Sequence, residues 1–251
     1  MKKLIKHAFQ LPLLATLLAC LFASSSYALS VPEKLLYEVS WTGITAGTAV
    51  QEVTSQDGEI RIVYTVHSNG WLDTFFPIDD RTESVLSRGR GGEQFGPPRL
   101  FMEKINEGKT HTWKESQFDQ SRLKADTKDL LKKSEKSDAI SAITYDTLSC
   151  VYYIRARELV PGSTINFDVF DLKRLWNAEV RVVKREEIST SLGRFKTIVV
   201  APTLKSEGVK TRIDYLTVWL TDDARRIPVK MKVKLKIGEF TAKLVGGSYW
   251  Q

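Results

Sequence analysis

Val229-Lys230-Met231-Lys232-Val233-Lys234-Leu235-Lys236-Ile237 alternates five apolar side chains with four lysines without a break. Period two puts every apolar residue on one face of an extended chain, whereas a helix would scatter the lysines around its surface. The stretch Pro228–Ile237 therefore predicts a strand with its valines inward and its lysines in solvent.

The same logic extends outward from this segment. Tyr37–Trp41 alternates and is followed by Gly43 and Gly47, and Ile60–Val66 is β-branched and bounded by Gly58 and Gly70. Ile165, Phe167 and Val169 alternate with Asn166, Asp168 and Phe170, and Val180–Val183, Phe195–Val200 and Tyr215–Thr221 lie between turn signals. One stretch differs. Asp146–Leu159 is long enough for a helix and stops before Pro161-Gly162, with Asp146 suited to its N-cap and Arg155 and Arg157 to its negative end. Its first two turns are apolar nearly all round, which predicts a helix sunk against the sheet or into a barrel mouth. The expected fold class is all-β: a barrel-like or strongly curved antiparallel sheet with one packed helix, in a single domain over residues 29–251. Lys124–Ser137 reads as a charged surface connection and residues 88–92 as a flexible loop. The glycines of that loop lack the strand-to-helix setting of a phosphate-binding turn.

The chain starts Met1-Lys2-Lys3-Leu4-Ile5-Lys6, runs apolar from Leu11 to Ala23 and reaches Ser26-Tyr27-Ala28. A basic start, a short apolar run and small residues at a cleavage site describe a secretory leader over residues 1–28, too short to span a membrane. The expected location is the periplasm after cleavage behind Ala28. The alternative is a lipoprotein anchored at Cys20, since Leu17-Leu18-Ala19-Cys20 resembles a lipidation box. Without the leader, 223 of the 251 residues remain, and loss of three lysines lowers the net charge from +7 to +4. That charge falls short of a nucleic-acid binder. Cys150 is then the lone cysteine, which excludes an internal disulfide and predicts a small buried hydrophobe.

Three blocks together resemble the exported proteobacterial family called domain of unknown function 3108. They are Tyr37-x-Val39-x-Trp41-x-Gly43-Ile44-x-Ala46-Gly47, Asp146-x-Leu148-Ser149-x-x-Tyr152-Tyr153-x-x-Ala156 with Arg155 inside it, and Trp219-Leu220-Thr221-Asp222-Asp223-x-x-Arg226-Ile227-Pro228-Val229. Gly193-x-Phe195-x-Thr197 falls between the last two. The resemblance implies an envelope address and a β-rich domain. It brings no established activity, so no catalytic residue is carried over.

Searches for chemistry return little. His67 and His111 are far apart, neither has metal-ligand spacing, and both read as strand surface residues. No Gly-x-Ser-x-Gly elbow, Walker loop or dinucleotide fingerprint occurs. Asp79-Asp80 and Asp222-Asp223 sit beside Arg81, Arg225 and Arg226, which are expected to pair with them and keep them ionised. Turn formation is their expected role. The candidate ligand-binding residues are Trp71, Leu72, Phe75, Phe76 and Ile78, read either as a lid on the barrel or as a door for an amphipathic ligand. The lysine row Lys230–Lys236 is either a solvated sheet face or a contact for an anionic glycolipid.

The expected function is non-enzymatic: a monomeric periplasmic protein, without cofactor or metal, that shelters an apolar or amphipathic envelope component such as a lipid or glycolipid. An interaction module for envelope assembly and an enzyme with an unrecognised site are the alternatives. A cavity behind Trp71–Ile78 would favour binding, a filled interior the interaction module, and acids converging with His67 in a cleft the enzyme.

Overall fold

The computed structural model describes residues 29–89, 94–206 and 213–250. The expected leader with Cys20, and positions 90–92 of the expected loop, lie outside them. In chain order the elements are β1 (Glu33–Trp41), β2 (Ile44–Gln56), β3 (Glu59–Ser68), α1 (Gly70–Asp73), β4 (Asp79–Arg88), β5 (Phe95–Glu107) and β6 (Thr110–Asp119). Then follow β7 (Lys124–Asp129), β8 (Ser134–Ala139), β9 (Thr144–Tyr145), α2 (Ser149–Arg155), β10 (Thr164–Phe170) and β11 (Leu175–Thr190). The chain ends through β12 (Gly193–Lys205), β13 (Ile213–Thr221), β14 (Pro228–Leu235) and β15 (Gly238–Gly247).

These strands form one sheet in the order β8-β7-β6-β5-β4-β3-β2-β1-β15-β14-β13-β12-β11-β10-β9. Sequence neighbours pair side by side, and β1 also pairs with β15, placing Tyr37 opposite Leu244. Among the described residues the meander thus runs as a circle broken between β8 and β9. Pairing is antiparallel apart from the short parallel contact of β9 with β10. The ends of the sheet meet through side chains instead of a ladder. Phe118 and Phe170 pack edge to face at 6.0 Å, Ile140 and Leu172 join the same cluster, and the Lys136 ammonium donates to the Lys173 carbonyl at 2.9 Å. The result is the expected barrel-like, strongly curved sheet with a helix packed inside it.

Three expectations need correction. In β14, Val229 is buried and Lys234 exposed as the alternation requires, but the strand ends at Leu235. Lys236 and Ile237 make the turn into Gly238, whose φ of +133° favours glycine, so Ile237 is 66% exposed instead of facing inward. Second, Lys124–Ser137 is no surface connection but the β7–β8 hairpin. Ala125, Thr127 and Asp129 are buried between exposed Lys124, Asp126 and Lys128, so the alternation is real but built mostly from polar residues. Third, α2 is shorter than Asp146–Leu159. Asp146 Oδ1 accepts the backbone N–H groups of Leu148 and Ser149 at 2.8 Å, and Ser149 Oγ accepts the Asp146 N–H at 2.9 Å. This reciprocal bonding shapes the turn ahead of the helix, which starts at Ser149 with Leu148 as its N-cap instead of at the expected Asp146. The helix stops at Arg155, with Ala156 as its C-cap, and buried Leu159 reaches the core from the irregular segment before Pro161.

Helix α2 lies between the two halves of the sheet. Ile154, with Cys150 and Tyr153, packs on β10–β13, while Tyr152, with Leu148 and Val151, packs on Val53, Ile60, Ile62 and Leu86. One structural glycine of the first motif block has a clear cause. A Cβ on Gly47 would stand 2.2 Å from the His67 carbonyl oxygen, so only glycine lets β2 and β3 close here.

Candidate functional site

Polar side chains tether α2 to one half of the sheet. The Arg155 guanidinium, fully buried, donates to both carboxylate oxygens of Glu33 at 2.6 and 2.7 Å. It also donates to the Arg225 carbonyl at 3.0 Å. Glu33 accepts two more hydrogen bonds, from the hydroxyls of Tyr152 and Tyr249, each at 3.0 Å. The Gln51 amide donates to the Tyr152 hydroxyl at 2.6 Å. Burial works against the charged guanidinium, but its hydrogen bonds to Glu33 together with the charge interactions with Tyr152, Glu33 and Tyr37 outweigh that and hold its pKa above the ordinary arginine value. At the other end of the helix, Ser84 Oγ on β4 donates to Asp146 Oδ2 at 2.6 Å. Burial pushes the Asp146 carboxyl upward, and the hydrogen bonds from Ser84 and Ser149 only partly offset it.

On the opposite side of α2 the sheet itself splits. Among the described residues, strands β12 and β13 pair from Thr197–Val200 to Val218–Thr221 and no further. Beyond Val200, β12 continues to Lys205 paired with β11, and β13 starts at Ile213 paired with β14, so the two diverge toward one rim. A cleft of about 630 Å³ fills this split and runs behind α2. Its floor is apolar: Ile154, Phe167, Ala178, Val180, Val200 and Leu220. Toward the rim it passes Leu204 and Leu216 and meets Arg181, Thr203, Tyr215 and Thr217. The size lies within the ordinary range of small-molecule sites, and an apolar floor with a few polar groups at the margin suits an amphipath.

Cys150 lines this cleft and is half-buried, not fully buried as the sequence suggests. Its apolar surroundings still push the thiol up to about 12, and the nearby Asp146 charge adds to that. The thiol therefore faces the cleft but is scarcely ionised at neutral pH.

The five residues chosen from sequence do not line this cleft. Trp71, Phe75 and Phe76 are 39%, 80% and 43% exposed, whereas Leu72 is buried and Ile78 half-buried. They form α1 and the turn after it, on the rim between β3 and β4. The Trp71 indole N–H donates to the Thr45 carbonyl at 2.7 Å, and the Gly108 N–H donates to Pro77. His67 is exposed and pairs with Asp79 at 2.9 Å, and His111 is exposed beside Asn106. Neither histidine enters the cleft.

The acidic doublets divide. Asp223 behaves as the sequence predicts: it bonds Arg225 at 2.7 Å and accepts the backbone N–H groups of Arg225 and Arg226 in a turn. Partial burial raises its pKa, but hydrogen bonds from Thr221 and Arg225 outweigh that and leave it below the usual carboxylate value. Asp80 does not pair with Arg81. Adjacent strand residues point to opposite faces, so Arg81 reaches Glu83 at 2.9 Å on the outside while Asp80 turns toward Glu107. Burial raises both carboxyls, and their mutual contact raises Glu107 further. Nearby Glu103 is pushed up to about 7 by burial, with Lys173 partly offsetting it. Among the described residues, no group of three or more His, Cys, Asp or Glu is arranged to hold a metal ion.

Sequence reading missed the cleft and the Glu33–Arg155 tether. Arg155 stands within the second motif block, but Glu33 lies 122 residues away and outside every block. Only the pairing of β1 with the sheet centre brings them together.

Comparison with solved structures supports the architecture. A crystal structure of a β-barrel-like protein of domain of unknown function DUF1849 from Brucella abortus superposes with a TM-score of 0.61. The two are 12% identical, over 88% of this chain and 98% of that one. At that identity the likeness shows the fold alone. An exported Bacteroides fragilis protein with a YmcC-like fold gives a TM-score of 0.34 at 8% identity, over 88% of this chain and 97% of that one. Among curated proteins none matches. The family model for the protein of unknown function DUF3108 matches residues 36–245, from β1 to β15 and through all the motif blocks, and this chain belongs to that family.

Proposed function

We propose that the protein is a non-enzymatic carrier of the cell envelope that shelters an apolar or amphipathic molecule, of the lipid or glycolipid class, in the cleft behind α2. The observation that carries this reading is the split between β12 and β13. It leaves about 630 Å³ of mostly apolar space that a ligand can reach laterally through the wall of the sheet. Burying an acyl chain there would gain roughly 0.8 kcal/mol per methylene. The polar groups at the margin, Arg181, Thr203 and Tyr215, would keep a headgroup near solvent. Export by the leader over residues 1–28 is part of the proposal.

Native mass spectrometry with lipid extraction, on protein purified from its own envelope, tests the reading. Bound lipid should be present in the wild type and lost in Ala178→Trp, which fills the floor of the cleft. Circular dichroism would show that the variant stays folded. Bound lipid should also slow thiol labelling at Cys150. A wild type that carries no lipid, and takes up no fluorescent fatty acid after delipidation, would overturn the proposal.

A further inference from the structure

In a circular antiparallel meander, alternate hairpins fall on the same rim. One rim carries the β1–β2, β3–β4, β5–β6, β7–β8 and β14–β15 connections. Four of these five consecutive connections expose large apolar side chains in or directly beside them: Leu130 and Leu131 between β7 and β8, then Phe75 and Phe76, then Ile44, then Ile237, while the β5–β6 turn contributes Gly108 and Lys109. Phe75, Ile237 and Ile44 are 80%, 66% and 61% exposed. The segments touch in sequence order around the arc. The Phe76 ring lies against Gly108, the Trp71 indole reaches Thr45, and the Trp41 indole donates to the Ile237 carbonyl at 3.0 Å.

Cations alternate with these side chains. Lys109 stands next to Gly108, Lys132 and Lys133 follow Leu131 directly, and Lys236 precedes Ile237. All four are exposed, and among the described residues none forms an ion pair. The exposed acids on the arc are engaged: Asp73 accepts the Ser68 hydroxyl and Asp79 pairs with His67. Aromatic and aliphatic tips interleaved with unpaired lysines are the side-chain chemistry of a surface that sits at an anionic lipid interface.

We propose that this rim docks the protein on an anionic membrane surface, with Phe75, Leu131 and Ile237 entering the interfacial layer and the four lysines meeting lipid phosphates. The inference deepens the carrier reading, because the split between β12 and β13 widens toward the same rim. Its support is separate, since no rim residue named here lines the cleft.

Vesicle flotation of the full chain tests it. The wild type should float with vesicles containing phosphatidylglycerol and bind phosphatidylcholine vesicles at least about tenfold more weakly. Binding should fall several-fold as salt rises from about 50 to about 500 mM, a screening effect that needs no variant. The triple variants Phe75→Ser/Leu131→Ser/Ile237→Ser and Lys132→Glu/Lys133→Glu/Lys236→Glu should each lose at least about tenfold, with unchanged melting because all six positions are exposed. Ala178→Trp should float like the wild type, which separates failure of the cleft reading from failure of this one. Absence of wild-type flotation, or unchanged binding by both triple variants, overturns the proposal. So does a wild-type dimer in light scattering that the serine variant dissociates, since the rim would then be covered by a second copy.

Discussion

Replacing Arg155 with Met tests whether the buried tether holds α2 in place. Arg155 is wholly buried and Glu33 is 2% exposed, so neither charge has water to fall back on. The substitution removes two charge-assisted hydrogen bonds to Glu33 and those to the Arg225 carbonyl, and leaves the carboxylate with only the Tyr152 and Tyr249 hydroxyls. Breaking a buried pair in this way costs about 3–5 kcal/mol. For a chain of this size each kcal/mol shifts the melting temperature by about 2–4 °C, so a drop on the order of 10 °C is expected. The double variant Glu33→Leu/Arg155→Met removes both charges and should melt above Arg155→Met alone, because an unpaired buried charge is worse than an apolar filling. Thermal melting by circular dichroism reads the wild type, Arg155→Met, Glu33→Leu and the double variant. An Arg155→Met variant within about 2 °C of the wild type, or a double variant with the summed loss of the two singles, would refute the reasoning.

Met231→Lys should be far more damaging than Lys232→Met. The first places a charge on the inner face of β14 beside the cleft, at a cost of several kcal/mol. The second loses only the part-exposed Lys232–Glu239 pair, worth up to about 1 kcal/mol; comparable losses of denaturant midpoint would mean the faces are reversed. Glu103 binds its proton more tightly folded, at about 7, than unfolded, near the ordinary glutamate value of 4.5. Its contribution to stability is therefore present below pH 4.5 and lost as pH rises through 7. Glu103→Gln should flatten that decline in urea titrations, and an unchanged pH slope would count against it. Gly47→Ala forces a Cβ against the His67 carbonyl and should cost more than the few tenths of a kcal/mol of an ordinary strand substitution, as measured by thermal melting. Equal stability would show that β2 and β3 yield there without strain.

The fold was legible wherever one face of a strand is apolar. Val229 to Leu235 announces itself by period two, and Ile60 to Val66 by its β-branched residues between glycines. Strands β7 and β8 were not, because Thr127 and Asp129 stand on a buried face where the eye looks for valine. Ser116 Oγ accepts the Thr127 hydroxyl and Lys114 lies 3.8 Å from Asp129, so these polar groups find partners across strands, with Asp129 also accepting the Lys132 N–H in its own turn. No local window contains that information. The cleft was hidden for a related reason. Phe195–Val200 and Tyr215–Thr221 read correctly as strands, but nothing in either says that their ladder stops at Val200. The aromatic cluster at Trp71–Ile78 was visible, and its place on a rim was not, since composition shows apolar area without showing which side of it is wet.

The way α2 is held bears on how a ligand could enter. Its directional bonds run from Asp146, Tyr152 and Arg155 to β4, β2 and β1 and to the loop before β14. Toward β10–β12 it offers Ile154, with Cys150 and Tyr153, in apolar contact. Hydrogen bonds fix distance and angle, whereas apolar contacts depend mainly on area removed from water and tolerate sliding. Directional bonds therefore tie the helix to the β1–β4 wall and to the turn between β13 and β14, whereas it meets the β10–β12 wall through apolar contact. That wall also has two weak margins. One is the seam at β8 and β9, closed by Phe118, Phe170 and their neighbours instead of a ladder. The other is the end of pairing between β12 and β13. Both margins flank the strands that line the cleft, so widening it for a ligand disturbs side-chain packing and leaves the continuous ladders from β1 to β7 intact.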